Sequence, residues 1–368
     1  MKLSLMYEIQ IPKPWSQGIE ARTYGEVLEQ VQLGDRIGCH AVWAVEHHLL
    51  PEWSHCPAPE VLFGALSQIT KKIRLGHGIA LLPRPFNHAM RVAERAAVLD
   101  ILSGGRVDLG TGRGVTLQEL GGFEVEPSET KTMWEEAVEV MVKAWGEETF
   151  EHRGKYYNIP PSSLVPKPVQ APHPPLWLAG TNPDSFGTAG QKGLGILGFV
   201  TGKPDDVAMR VRAYHDGIKQ AKPLGRTVNN QCAVLIQTYC APTREQAIAD
   251  VTKPLETVAK LSAQLYLPWA EKPAEQVAES YRYLTQRPSG DTRAGASVDG
   301  GVAGRAADGM IAVGTPDDLI KLFRTYQKIG VDQMLMWVQF GGLEHAKIMQ
   351  SLEMIGKHVI PELAKVPA

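Results

Sequence analysis

The 368-residue sequence predicts an α/β protein built as a (β/α)8 TIM barrel with insertions, and three observations carry that prediction. Short apolar runs alternate with helical stretches along nearly the whole chain. Runs such as AVWAV at Ala41–Val45 are continuously apolar, as strands buried on both faces are. Polar and glycine-rich clusters follow directly on the ends of these runs, where such barrels place their chemistry.

The elements follow in order. Lys2–Tyr7 reads as the first strand, and a helix over about Glu20–Ile37 is closed by Gly38. Ala41–Val45 is the second strand, followed by a helix over about Pro59–Thr70. The third strand, IRLGHGIALL, begins at Ile73. A helix over about Phe86–Leu102 puts Ala89, Val92, Ala93, Ala96 and Leu99 on one face, and Ser103-Gly104-Gly105 stops it. Arg106–Gly110 is the fourth strand. Ser128 is placed to cap a helix in which Trp134, Val138, Met141 and Trp145 recur at helical spacing, as core residues do.

Leu176–Ala179 and Gly195–Val200 are the fifth and sixth strands, with a helix from about Pro183 between them and another over about Asp205–Gln220. Ala233–Tyr239 is the seventh, after which Thr243 and Gln246 read as a capping box. Thr315-Pro316-Asp317-Asp318 starts a helix with proline at its first position and acids in its first turn. Its apolar stripe is Leu319, Leu322, Phe323 and Tyr326, and Gly330 ends it. Met334–Val338 is the eighth strand, and a last helix runs to about Leu363.

One domain over 1–368 is expected, with two insertions. Gly146–Pro175 is rich in proline and aromatic residues, consistent with a hairpin and an extended crossover. Leu267–Gly309 ends in SGDTRAGASVDGGVAGRAADG, too polar to pack as a core element; long loops of this kind inside a compact domain are lids or disordered.

Composition narrows the function. Forty acids against 38 bases leave a net charge of −2, with no basic footprint for nucleic acid or an anionic membrane. No run approaches membrane-spanning length, and MKLSLMYEIQIPKP is too short in apolar residues for a signal peptide. Cys39, Cys56, Cys232 and Cys240 include no C-x-x-C pair and read as reduced thiols of a cytoplasmic protein.

Three clusters carry candidate chemistry. After Val45 come Glu46, His47 and His48; side chains alternate along a strand, so the two histidines face different environments, one the barrel mouth. The alternative is a surface loop holding both. After Leu109 comes Gly110-Thr111-Gly112-Arg113-Gly114, whose glycines let backbone N–H groups approach an anion while Arg113 offers a forked cation. This is not the Rossmann fingerprint, no clear helix opens after it, and a tight turn with a solvated arginine is the other reading. After LWLAG, Thr181-Asn182-Pro183-Asp184-Ser185 opens a helix whose free N–H groups suit a phosphate. Plain capping by Thr181 or Asn182 is the alternative, and Asp184 works against an anion. His40, His47, His48, His55 and Cys56 lie close in sequence but lack zinc spacing, so no metal is expected. No G-x-S-x-G elbow occurs.

EHH after the second strand, LGHGIALLP on the third, LSGGRVDLGTGRG on the fourth, PKPVQAPHPPLWLAGT into the fifth and VGTPDDL near the end together resemble the bacterial luciferase-like flavin monooxygenases. The resemblance covers nearly the whole chain and is nearest to the light-emitting-subunit type that shares EHH. It implies a barrel that binds reduced FMN, supplied by a separate flavin reductase, reacts it with O2 to a peroxyflavin, and oxidises a small organic substrate. It implies that Arg113 and Gly114 form the flavin-phosphate loop, and that Gly180, Thr181, Asn182 and Ser185 form a second phosphate-contacting turn. It further implies a non-prolyl cis peptide at Gly78-Ile79 beneath the flavin ring, acid–base work for His47 and a mobile lid over about Leu267–Gly309; His48 is expected to point the other way and be structural, and a homodimer is expected. Met6, Trp53, Met336 and Trp337 are candidates for an apolar substrate pocket or equally for core. The light-emitting subunit has cysteine at the position of Gly112 and glutamate at that of Gly180; these departures bear on luminescence and a long-chain aldehyde substrate, not on flavin binding. The superfamily also holds deazaflavin-dependent dehydrogenases and non-catalytic flavin-binding proteins, which are the alternatives.

Overall fold

The computed structural model describes residues 1–199, 202–285 and 300–365. Eight strands form a closed parallel barrel: β1 (Lys2–Tyr7), β2 (Ala41–Ala44), β3 (Arg74–Leu81), β4 (Val107–Gly112), β7 (Leu176–Gly180), β8 (Gly195–Gly198), β9 (Cys232–Cys240) and β11 (Gln333–Gln339). The antiparallel hairpin β5 (Phe150–Arg153) and β6 (Asn158–Ser162) stands apart, and β10 (Ala312–Gly314) lies on the outer end of β9. Pairing of β8 with β9 closes the ring.

Around it run α1 (Ile19–Ile37), α2 (Pro59–Ile69), α3 (Ala89–Ser103), α4 (Leu117–Gly122), α5 (Thr130–Gly146), α6 (Pro183–Gln191), α7 (Pro204–Ile218), α8 (Arg244–Ala270), α9 (Gly301–Ala307), α10 (Pro316–Lys328), α11 (His345–Met354) and α12 (Ile360–Ala364). Among the described residues no helix is long and apolar enough to cross a membrane.

Large side chains plug the barrel interior because small neighbours leave room. Trp43 on β2 and Trp177 on β7 meet edge to face with ring centroids 5.2 Å apart. Each lies beside a glycine on the next strand: a Cβ on Gly76 or on Gly195 would come within 2.4 Å of the neighbouring indole. The Trp177 indole N–H donates to Asp108 Oδ1 at 2.9 Å, and Arg74 pairs with the same carboxylate. Trp134 and Trp145 on α5 are buried core residues.

The structure departs from the sequence reading in four places. A helix, α4, does open soon after the GTGRG turn; Thr116 caps it by accepting from the Glu119 N–H. Ser128 does not cap α5, because a 3-10 turn over Pro127–Glu129 intervenes. The short strand β10 escapes periodicity analysis because three residues carry no pattern. Leu267–Gly309 is not a plain loop. Leu267–Ala270 finish the 27-residue α8, and Ala274–Gln276 and Glu279–Leu284 form 3-10 turns. Gly301–Ala307 is α9. Residues 286–299, where the glycine-rich lid was expected, lie outside the described residues, as do Val200 and Thr201.

A second, smaller core sits over the barrel mouth. Leu120, Val125, Trp269, Val277, Tyr281 and Leu284 pack together there, separate from the main core. The end of α8 and the following turns are thus packed onto the loop after β4, which sequence periodicity did not reveal.

Candidate active site

The ends of β1–β4, β7–β9 and β11 open on one cavity of about 220 Å3. Its wall includes Glu8, His47, Trp53, Gly78, Ile79, Arg113, Gly114, Gly180, Thr181, Asn182, Ser185, Gln237, Tyr281 and Trp337. All the sequence-derived candidates therefore meet there except Met6 and Met336. Those two are buried in the strands below, at 1 % and 0 % exposure, with Met6 under Gly78, so they belong to the core.

His47 and His48 diverge as strand parity requires. His47 keeps 18 % exposure and lines the cavity. His48 turns away, packs against Phe86 and Phe123, and reaches Glu46 Oε1 at 3.2 Å. Glu46 also accepts from the Leu81 N–H at 3.0 Å and the Asn87 amide at 2.7 Å, tying the ends of β2 and β3 together.

Two carboxylates that the sequence reading passed over define the state of His47. Glu119 on α4 is fully buried and accepts from His47 Nδ1 at 2.9 Å, the His48 N–H at 2.9 Å and the Thr116 hydroxyl at 2.6 Å. Glu8, one residue past β1, lies 3.7 Å from His47 Nε2, and its Oε2 is buried without a hydrogen-bond partner. Burial alone would lower the His47 pKa, but the charge and hydrogen bond of Glu119, then Glu8 and Glu46, raise it to about 9. Burial raises the Glu8 carboxyl to about 7, against the opposing pull of the His47 charge. Burial also works against Glu119, yet His47 and the hydrogen bonds it accepts hold its pKa below the usual value. Glu119 thus fixes the proton on Nδ1 and presents Nε2 to Glu8 and the cavity. The MYE run was the available signal for Glu8; nothing local marked Glu119.

The turn after β4 places a cation on the cavity wall. Gly114 has φ 81°, a conformation that favours glycine. The Arg113 guanidinium lies over the Tyr281 ring, 5.2 Å from its centroid, and bonds Thr130 weakly at 3.4 Å. Among the described residues no carboxylate pairs with it. The Tyr281 hydroxyl donates to Gly114 O at 3.0 Å, and Trp269 stacks on Tyr281 and donates to Val115 O at 2.8 Å. At the other turn, Asn182 and Ser185 form a reciprocal capping box at the start of α6. Capping is therefore real there, by Asn182 and Ser185, and Thr181 lines the cavity beside them. Arg210 on α7 supports this turn by donating to Thr181 O at 3.2 Å, a cation the sequence reading did not single out. An unpaired arginine, a positive-φ glycine and a helix start on one cavity form a donor set that fits a phosphate-bearing cofactor.

The Gly78-Ile79 peptide is cis. The two departures from the light-emitting type have steric correlates. A Cβ on Gly112 would sit 2.0 Å from Ile79 Cδ1, and one on Gly180 would sit 2.6 Å from Ser185 Oγ. Among the described residues no group of three or more His, Cys, Asp or Glu could hold a metal ion.

A family model described as luciferase-like monooxygenase matches residues 1–333. The chain is 24 % identical to the oxygenase component of flavin-dependent trigonelline monooxygenase from Acinetobacter baylyi, over 99 % of this chain and 96 % of that protein. Its fold matches the oxygenating constituent of 3,6-diketocamphane monooxygenase from Pseudomonas putida, solved with FMN. That match has a TM-score of 0.76 and 21 % identity, covering 98 % of each chain. An F420-dependent secondary alcohol dehydrogenase shares the fold less closely, with a TM-score of 0.69 and 17 % identity over 99 % of each chain.

Proposed function

Because the chain belongs to the luciferase-like monooxygenase family, we propose that it is the oxygenase component of a two-component system, using reduced FMN from a separate flavin reductase and O2 to oxidise a small organic substrate. The observation that carries this reading is the convergence of the Arg113–Gly114 turn, the Thr181–Ser185 helix start and His47 on one cavity. Reduced FMN, when bound, supplies the electrons that activate O2. The rest falls to the chain's own residues. Arg113, Gly114, Thr181 and Asn182 would hold the phosphate, while Gly78, Ile79 and Gly180 would line the ring portion of the site.

At neutral pH His47 holds protons on both nitrogens, so Nε2 faces the cavity as an acid. Glu8, titrating near neutrality, is placed to return or accept that proton. Leu178, Phe199, Leu235, Leu265 and Trp337 supply apolar wall that keeps bulk water from the reacting centre. Tyr281, held by Trp269, closes the mouth over the phosphate turn.

A second copy of the chain is the proposed structural partner. Val61 and Ile69 on α2 and Val98, Ile101 and Leu102 on α3 are exposed apolar side chains suited to a homodimer. A cytoplasmic location fits the four buried cysteines, all free thiols.

The competing reading, hydride transfer with a deazaflavin, is favoured by the fold shared with the F420-dependent dehydrogenase. Anaerobic titration with reduced FMN and with reduced deazaflavin, followed by isotopically labelled O2 and a panel of aldehydes, ketones and terpenoids, separates the two. Binding of reduced FMN with label in the product is the expected result. Tight deazaflavin binding with no label transfer would sink the proposal.

A further inference from the structure

Arg305, on α9, is 3 % exposed. Its Nη2 donates to Gln237 Oε1 at 2.9 Å, while its Nε is buried without a partner. Among the described residues no carboxylate pairs with it. Burial lowers its pKa, but a guanidinium remains charged at any pH a protein works at. A buried cation without a counter-charge is costly, and removing it from water is repaid only by an anion or by several strong acceptors.

Gln237 shows where that anion enters. It lies on β9 in register with Trp337 on β11 and lines the cavity. Its Nε2 is a second buried donor without a partner among the described residues. Arg305 reaches the cavity wall through Gln237 and is not itself a lining residue; its Nε and the Gln237 Nε2, unpartnered among the described residues, call for one acceptor with negative charge and more than one oxygen. The phosphate turn already has its own arginine in Arg113, so this second cation is not needed there.

We propose that Arg305 and Gln237 form a subsite for a carboxylate on the organic substrate, so that the oxidised molecule is a small organic acid rather than a neutral hydrocarbon, ketone or terpene. This rests on the monooxygenase reading for the word substrate, but the binding claim stands without it. The carboxylate accepts from Gln237 Nε2 and from the guanidinium edge, and the rest of the molecule lies against Trp337 and the apolar wall.

The test uses acid and amide pairs: benzoate against benzamide, and cyclohexanecarboxylate against cyclohexanecarboxamide. Each is titrated calorimetrically into the FMN-saturated protein and into the flavin-free protein. The wild-type protein should bind at least one acid about tenfold or more tighter than its amide, as for hydrogen bonds to a charged group. Arg305→Met should abolish that preference while leaving amide and FMN affinities unchanged, and Arg305→Lys should restore part of it. Gln237→Leu should weaken the preference independently, should Arg305→Met fail to fold. Equal binding of acid and amide, or no acid binding up to about 10 mM, overturns the proposal. So does a preference that survives Arg305→Met, or a loss of FMN affinity in its place. Acid preference in a protein that binds no FMN would leave the subsite standing and remove the flavin reading instead.

Discussion

His47 and Glu119, 72 positions apart in the chain, share a 2.9 Å hydrogen bond between Nδ1 and Oε1 at the barrel mouth. The partner is fully buried and accepts two further hydrogen bonds, from the His48 N–H and the Thr116 hydroxyl. The imidazole is consequently fixed in orientation, with a proton held on Nδ1 and Nε2 turned to Glu8 and the cavity.

This pair makes stability depend on alkaline pH. The His47 pKa lies at about 9 in the fold, above its ordinary value of 6.5. Its contribution is therefore fully present below about pH 6.5 and is lost as pH rises through about 9. Glu119→Gln should remove most of that dependence and cost about 1–3 kcal/mol near neutral pH. Urea denaturation of both proteins across this range reads it directly; parallel pH profiles would contradict the assignment.

Glu8 acts in the same direction over a lower pH range. Its carboxyl pKa is raised from 4.5 to about 7, so the fold favours its neutral form. Stability contributed by that form is present at low pH and declines as pH rises through about 7. Glu8→Gln should match the wild type in melting temperature near pH 5 and exceed it above pH 7. A lower melting temperature for the variant at alkaline pH would show that the ionised Glu8–His47 pair is net stabilising.

The two neighbouring histidines should separate by phenotype. His47→Ala should lower product formed per reduced FMN by about 100-fold, the scale of a general acid–base contribution, and leave FMN affinity within a few-fold. His48→Ala should mainly reduce thermal stability, because it loses the Glu46 contact and the packing against Phe86 and Phe123. Full coupling in His47→Ala, or an exchange of the two phenotypes, would refute this division.

Arg113→Ala should weaken reduced FMN by about 1.5–3 kcal/mol, the size of a lost hydrogen bond to a charged group. Riboflavin, which lacks the phosphate, should respond little. Since Arg113 also stacks on Tyr281, melting temperature must be measured alongside. Equal losses for both ligands would mean that the substitution acts through the loop and not through the phosphate.

Much of this molecule was determined locally by its sequence. The strands are apolar runs, and the divergence of His47 and His48 follows from strand parity alone. The positive-φ glycine of the Arg113-Gly114 turn and the proline-led start of α6 are likewise set by residues a few positions apart. Tertiary structure decided the partners. Glu119 reaches His47 only because α4 folds back over β2, and Glu8 reaches it because β1 and β2 are neighbours in the closed ring. Trp269 and Tyr281 brace the turn after β4 from 154 and 167 positions away. Local conformation depends on neighbours in the chain and shows as periodicity; contacts of this separation depend on barrel closure, and shift proton affinities only once burial has removed the intervening water.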